Sequence, residues 1–419
     1  MKKKLREQPL NESLNHTLLL LKKEMLEERH SILHWWIVKM TDWVNGGFYG
    51  KIDAHQQLHP LADKGVILNT RILWTFSAAA NSCKNEQYQE IADRAFNYLK
   101  QYFLDEKNGG LFWMLDYKGI PTQTRKQIYA QAFGIYGLAE YYHLTKNETA
   151  IQLALDLFEQ IEKHSLDKLD GGYFEAFTET WQPIEDLRLS EKDANEAKTM
   201  NTHLHILEAY TNLYRVYPNK QIAVALRRLI ECFLEKFVNA DNHHLFLFFD
   251  EKWVSKSEAI SFGHDIEASW LLYEAAEILG DEAILNIVEK RSLEMAEVTL
   301  NEGFDHTGGI MYEQIKDHFD KEKHWWVQAE AVIGFYNAFE ISKEEKFLKA
   351  ATNTWEFIKN HILDKEHGEW IWSILENGTT NTDEDKAGAW KAPYHNGRMC
   401  MEILKRVSGV LPLKNRLYK

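Results

Sequence analysis

A glycine-rich aromatic motif returns six times along this chain, at a spacing that leaves room for two helices between copies. NGGFYG begins at Asn45, NGGLFW at Asn108, DGGYFE at Asp170 and HTGGIMYE at His306. Weaker copies, DNHHLFLFFD and EHGEWIWS, begin at Asp241 and Glu366. The first three starts are 63 and 62 residues apart, the next interval is 71, and the remaining two are close to 63. Six units of that length use up the 419 residues. A fixed period of this size is the signature of a repeat architecture. Asn-Gly or Asp-Gly followed by aromatics is hairpin chemistry, because glycine tolerates positive φ and alternate residues then face opposite sides.

Between hairpins the pattern is helical. Each hairpin follows an amphipathic segment such as QYQEIADRAFNYLKQYFL or KFLKAATNTWEFIKNHIL. Each is followed by a more apolar segment rich in small residues, such as YAQAFGIYGLAEYY or QAEAVIGFYNAFE. An amphipathic helix faces water on one side, and a helix apolar all round is buried. Six outer and six inner helices in alternation predict an all-α, single-domain (α/α)6 barrel spanning residues 1–419. An open solenoid of helix pairs is the alternative, but it needs polar terminal caps that this sequence does not show.

The hairpins then gather at one end of the barrel, together with the N-termini of all six inner helices. Helix dipoles at that end favour developing negative charge. Reading each inner start gives Arg71 in LNTRILW, Tyr129 and Gln131 in QIYAQAF, and Asn201 and His205 in MNTHLHILE. His264 and Glu267 follow in FGHDIEASW, Trp325, Trp326 and Glu330 in HWWVQAE, and Trp390 and His395 in WKAPYHNGR. Each has an ordinary reading as well. A histidine near a helix start is commonly structural, Arg71 pairs with Glu267 or Glu330 as a buried ion pair, and the tryptophans pack. His203 points away from His205 and reads as structural. The functional reading rests on coincidence: polar groups recur at matching places in helices that are otherwise apolar, and burying them costs free energy unless they are paired or used.

Charge and composition narrow the ligand. A net charge of -14 argues against nucleic acid and against an anionic membrane surface. Aromatics at 13%, with 14 Trp, suit the planar faces of sugars. Cys83, Cys232 and Cys400 are odd in number and widely spaced, as reduced thiols in a cytoplasmic protein would be. The basic start MKKKLREQPL precedes only a four-residue apolar run, too short for a signal-peptide core or a membrane span. No HExxH or other ligand spacing points to a catalytic metal.

Histidine titrates near neutrality, so a pair can act alternately as base and acid. Proton abstraction beside a carbonyl gives an enediolate whose oxygen an arginine can hold. Two histidines on opposite faces would remove that proton from one side and return it to the other, which is epimerisation. A glycoside hydrolase with Glu267 and Glu330 as its two carboxylates is the rival enzyme, and a non-catalytic sugar-binding protein is the other alternative.

NTHLHILEAY, FGHDIEASWLL, WWVQAEAV and PYHNGR together resemble the N-acylglucosamine 2-epimerase superfamily, most closely its cellobiose 2-epimerase branch. The resemblance runs from MTDWVNGGFYG to about Met401. It implies an (α/α)6 barrel and a cofactor-independent isomerase acting through a cis-enediol. By that resemblance His264 and His395 are the acid–base pair at C2, Arg71 holds charge on O1 and O2, and His205 with Asn201 opens the ring. Glu267 and Glu330 orient the catalytic histidines, Tyr129 and Asp193 bond the sugar, and Trp390 with Trp325 or Trp326 stacks on sugar rings. The expected substrate is a β-1,4-linked disaccharide such as cellobiose or lactose, with mannose, glucose or N-acylglucosamine as the alternatives. FFDEKWVSKSEAISF is expected to overhang the pocket. A small-molecule sugar is the expected partner, with no nucleic acid, membrane, metal or cofactor, and the chain is expected as a monomer or weak homo-oligomer.

Overall fold

The structure, a computed structural model, describes residues 12–410; the basic N-terminal stretch lies outside them. Six outer helices, α1 (Glu12–Met40), α3 (Glu86–Tyr98), α5 (Glu148–His164), α7 (Lys220–Cys232), α9 (Glu282–Glu302) and α11 (Glu345–Phe357), alternate with six inner ones. The inner helices are α2 (Val66–Cys83), α4 (Ile128–Thr145), α6 (Met200–Val216), α8 (Phe262–Leu279), α10 (Trp325–Ser342) and α12 (His395–Val410). In α10 all but one of the residues from Trp325 to Phe339 are buried, as a helix walled in on every side requires. Each large apolar side chain taken fully out of water there contributes about 1.5–3 kcal/mol.

The ring closes. Ile52, after the first hairpin, bridges Ala387, which precedes the last inner helix. Thr75 on α2 donates to the carbonyl of Pro393 just before α12 at 3.2 Å. An open solenoid would leave those two ends apart, so the barrel reading holds.

The hairpins differ from the tight two-residue turns that Asn-Gly suggests. Each is one antiparallel bridge, as in Thr41 with Phe48 or Leu104 with Leu111. In five of the six units the loop between is organised by an aspartate whose side chain accepts backbone amides just ahead of it, as Asp42 does from Val44 and Asn45. The second glycine is required by close approach: a Cβ on Gly47 would stand 2.7 Å from the Tyr98 ring. The longer strand pairing runs between units, with Lys64–Gly65 against Met114–Leu115 and Lys198–Thr199 against Phe248–Phe249.

A second repeat emerges beneath the hairpins. The loop aspartate also holds a buried lysine from the strand leading into the inner helix. These pairs are Asp42–Lys64 (2.9 Å), Asp105–Lys126 (2.8 Å), Asp167–Lys198 (2.7 Å) and Asp305–Lys323 (2.7 Å). The sixth unit uses Asp364–Lys386 at 2.7 Å, and its Lys391 turns to Glu369 at 3.1 Å. Only the fourth unit lacks the pair. Asn239 stands for the aspartate and Ile260 for the lysine, so both charges are lost together and neither is left buried alone. A groove of about 760 Å³ lies at that place, lined by both residues and His244.

One turn further along several of the inner helices a polar side chain pins the hairpin to the helix. Gln131 accepts from Leu111 N at 2.7 Å and donates to its carbonyl at 3.1 Å. Gln328 does the same for Ile310, at 2.9 and 2.8 Å. His203 fills this place in the third unit: its Nδ1–H donates to Thr199 O at 2.7 Å, and its Nε2 accepts from Tyr173 N at 2.8 Å. Burial pushes its imidazole down to about 3, so it stays neutral. The structural reading of His203 is thereby explained.

Candidate active site

The lysine positions (64, 126, 198, 260, 323 and 391) give a common origin for the inner helices. Seven residues on, two helical turns deep, stand Arg71, Phe133, His205, Glu267, Glu330 and Arg398. Three or four residues on, one turn deep, stand Tyr129, Asn201, His264, Trp326, Tyr394 and His395. The barrel axis is thus lined by two polar layers, with the hairpin end above them.

In the deeper layer Arg398 is the hub. Its Nη2 donates to Glu267 and to Glu330, each at 2.7 Å, and its Nη1 to Glu208 and the Tyr394 hydroxyl. Glu330 in turn accepts from His395 Nδ1 at 2.6 Å and from the Trp270 indole at 3.0 Å. Glu208 accepts from His205 Nδ1 at 2.9 Å. One guanidinium therefore fixes the carboxylates that fix two histidines. Burial and the nearby Glu330 raise Glu267 to about 8, so it holds a proton at neutral pH. Burial also penalises the Glu208 carboxylate, but Arg398 and His205 outweigh it and bring Glu208 below its ordinary value.

His264 is held differently. Its Nδ1 lies 2.8 Å from the Ser261 hydroxyl, which can donate or accept, and its ring leans on Trp326 at 4.9 Å. Gly263 permits that contact, because a Cβ there would meet the Trp326 ring at 2.6 Å. Burial, aided by His205, pushes His264 down to about 3. Burial followed by Arg71 takes His395 well below its ordinary value, and burial lowers His205 as well. All three imidazoles are neutral. Among the described residues no protein group bonds the Nε2 of any of them.

Arg71 is not the ion-pair partner that its ordinary reading expected; Arg398 takes that place. Arg71 donates to the Tyr129 hydroxyl at 2.8 Å and the Trp390 carbonyl at 3.0 Å, and lies 4.5 Å from the Phe133 ring centre. No carboxylate among the described residues neutralises it, which leaves a positive charge for a substrate oxygen. Tyr129 itself is pushed up to about 12 by burial, so it remains a hydroxyl.

The remaining candidates separate. Trp326 is half-buried between His264 and His395, 5.7 Å from the latter. Trp325 is 1% exposed, edge-on to His395 at 5.4 Å and covered by Lys391, so it backs the site. Trp390 is half-buried beside Trp113 at 5.9 Å. Asp193 and Asn201 line a chamber of about 60 Å³ that reaches His264, where Asn201 Oδ1 has no partner. Phe248, from the segment expected to overhang, lines the same chamber. Glu267 does not touch His264; it serves Arg398 and stands 4.0 Å from His395 Nδ1. Arg398, Glu208 and Tyr394 are additions to the predicted set. Glu267, Glu330 and His395 offer ligand atoms within 4.8 Å of one another, but Arg398 already supplies the positive charge there.

The chain matches the N-acylglucosamine 2-epimerase (GlcNAc 2-epimerase) family over residues 47–397, and it belongs to that family. Among its relatives are cellobiose 2-epimerases. The one from Bacteroides fragilis is 51% identical, covering 92% of this chain and 99% of its own length. That from Dictyoglomus turgidum is 41% identical over 93% of this chain and all of its own. The solved cellobiose 2-epimerase of Bacillus thermoamylovorans superposes with a TM-score of 0.88 at 40% identity, covering 93% of this chain and all of that one.

Proposed function

We infer that this protein is a cellobiose 2-epimerase, an isomerase that inverts C2 of the reducing-end glucose of β-1,4-linked disaccharides. The single observation that carries the chemistry is a set of neutral imidazoles, tied at Nδ1 and unbonded at Nε2, around an arginine that no carboxylate neutralises. Ring opening exposes a C1 carbonyl, with His205 moving the ring proton and Asn201 beside it. Because its Nδ1–H is committed to Glu330, His395 presents a lone pair at Nε2 and acts as the base at C2. Arg71 and Tyr129 hold the enediolate oxygens. The enediolate charge favours an imidazolium at His264, whose Nδ1–H the Ser261 hydroxyl can accept at 2.8 Å. His264 gives its Nε2 proton to the other face of C2 and ends neutral. His395 ends protonated, and exchange with solvent between turnovers restores both. In the reverse direction the two histidines exchange roles.

Hydrolysis fits this arrangement poorly. Glu267 and Glu330 both bond one nitrogen of Arg398 in the layer beneath the histidines, and do not flank a substrate bond. The decisive experiment follows cellobiose, and separately mannose, by proton NMR in heavy water. Deuterium at C2 with a new mannose-configured reducing end from cellobiose is the expected result. Release of monosaccharide from cellobiose, or exchange with mannose alone, would overturn it.

A further inference from the structure

The end of the barrel away from the hairpins holds a cavity of about 630 Å³. Its walls are the last turns of α2, α4, α6, α8 and α12, with α1 along one side. Trp74, Tyr136 and Trp270 make the inner wall, and Arg398 separates the cavity from the histidine layer. The carboxylates that face it are all engaged: Glu274 by Arg215 at 2.7 Å, Glu402 by Lys405 at 3.2 Å, and Glu140 by Asn81 at 2.6 Å.

Two cations on α1 are left over. Lys22 lines the cavity, is only 5% exposed, and has no hydrogen-bond or ion-pair partner among the described residues. Arg29 donates to the Ser82 hydroxyl at 3.1 Å, pairs with no carboxylate among the described residues, and has a buried Nε without an acceptor. The Trp74 indole N–H, also in this wall, is buried without an acceptor. A buried donor left unpaired is costly, and a cation without a counter-charge at the wall of a cavity is open to an anion. Lys22 and Arg29 are seven residues apart on one helix face, a separation of roughly 10 Å along the axis.

We propose that this cavity is a second binding site, for a small metabolite with an oxyanion head group, phosphate or carboxylate, held by Lys22, Arg29 and the Trp74 N–H. The aromatic wall accommodates a sugar-sized body behind the head group. Nothing in this site depends on the epimerase chemistry, so its test is binding and not turnover.

Full-length protein is titrated by calorimetry with inorganic phosphate, glucose 6-phosphate and gluconate. Lys22→Met, Lys22→Arg and Arg29→Gln are titrated in parallel. At least one ligand binds the wild type, the affinity falls at least tenfold in Lys22→Met and Arg29→Gln, and Lys22→Arg restores most of it. Phosphate binding as well as the ester identifies the free ion as sufficient. Binding of the ester or of gluconate alone shows that the sugar body is needed, with phosphate or carboxylate at its head. Lys22→Met keeps the wild-type rate of C2 exchange, which separates this site from the histidine funnel. Absence of binding for all three ligands, or equal affinity in the wild type and both charge-removing variants, overturns the proposal.

Discussion

The Glu330 carboxylate stands 2.6 Å from Nδ1 of His395 while also accepting from Arg398 at 2.7 Å, so one side chain joins that imidazole to the buried hub. That contact fixes which nitrogen of His395 carries the proton. Glu330→Gln keeps the shape but removes the charge, and its amide can present N–H to Nδ1 and impose the wrong tautomer. Turnover should fall by about 10²–10⁴-fold, the range seen when a histidine's orienting or proton-transfer role is lost. Because Glu330 does not face the sugar, KM should change little. Steady-state kinetics on cellobiose separate the two parameters, and a variant with wild-type kcat would remove Glu330 from the mechanism.

Arg398 carries a different expectation, on stability. Its guanidinium is 1% exposed and bonds three glutamates. Arg398→Met would leave Glu208 and Glu330 buried without their counter-charge and Glu267 without its hydrogen bond. Breaking a buried pair by removing one partner costs about 3–5 kcal/mol. Urea unfolding should show a loss of that size in Arg398→Met, and a smaller one in Arg398→Lys, which keeps charge but not the fork. A loss under 1 kcal/mol in Arg398→Met would mean that the glutamates are neutral without it.

How far the sequence discloses this site depends on the phase of each inner helix. The hairpin period places Arg71, His205, Glu267 and Glu330 at equivalent depths, because each lies two turns inside an otherwise apolar helix. Arg398 follows the same offset, yet in PYHNGR the eye goes to His395, and an arginine near a chain end reads as a surface residue. Glu208 is harder still, since it sits one turn below His205 in HLHILEAY, where a carboxylate looks like the exposed edge of a helix. Trp325 and Trp326 are about 100° apart around α10, and sequence alone does not set the rotation that sends one to the mouth and one behind His395. The inter-unit strand pairs were illegible because segments of two residues carry no periodicity.

Glu267 gives a prediction for alkaline solution. Burial and Glu330 raise it to about 8, so above that pH it ionises beside Glu330 and places a second negative charge within 4.0 Å of His395 Nδ1. The imidazolium form of His395 is then favoured over the neutral base. The rate kcat/KM should be flat around neutrality and decline above about pH 8. A profile level to pH 10 would show that Glu267 does not titrate in the site.

Acid solution tests His203, which pins the third hairpin and takes no part in the chemistry. Folded, it stays neutral to about pH 3; unfolded, it accepts a proton near its ordinary value of 6.5. Between those limits the unfolded state binds more protons, so stability rises with pH. This contribution is complete above 6.5 and is lost as pH falls toward 3, at about 1.4 kcal/mol per pH unit. His264, also held at about 3, adds its own share over the same window. Gln131 and Gln328 make the corresponding hairpin bonds with a side chain that does not titrate. His203→Gln should therefore keep the fold and activity at pH 7 while flattening the acid slope. Denaturant unfolding at pH 4.5, 5.5 and 7 measures it. If the variant loses as much stability between pH 7 and 4.5 as the wild type, His203 is not a source of the acid sensitivity.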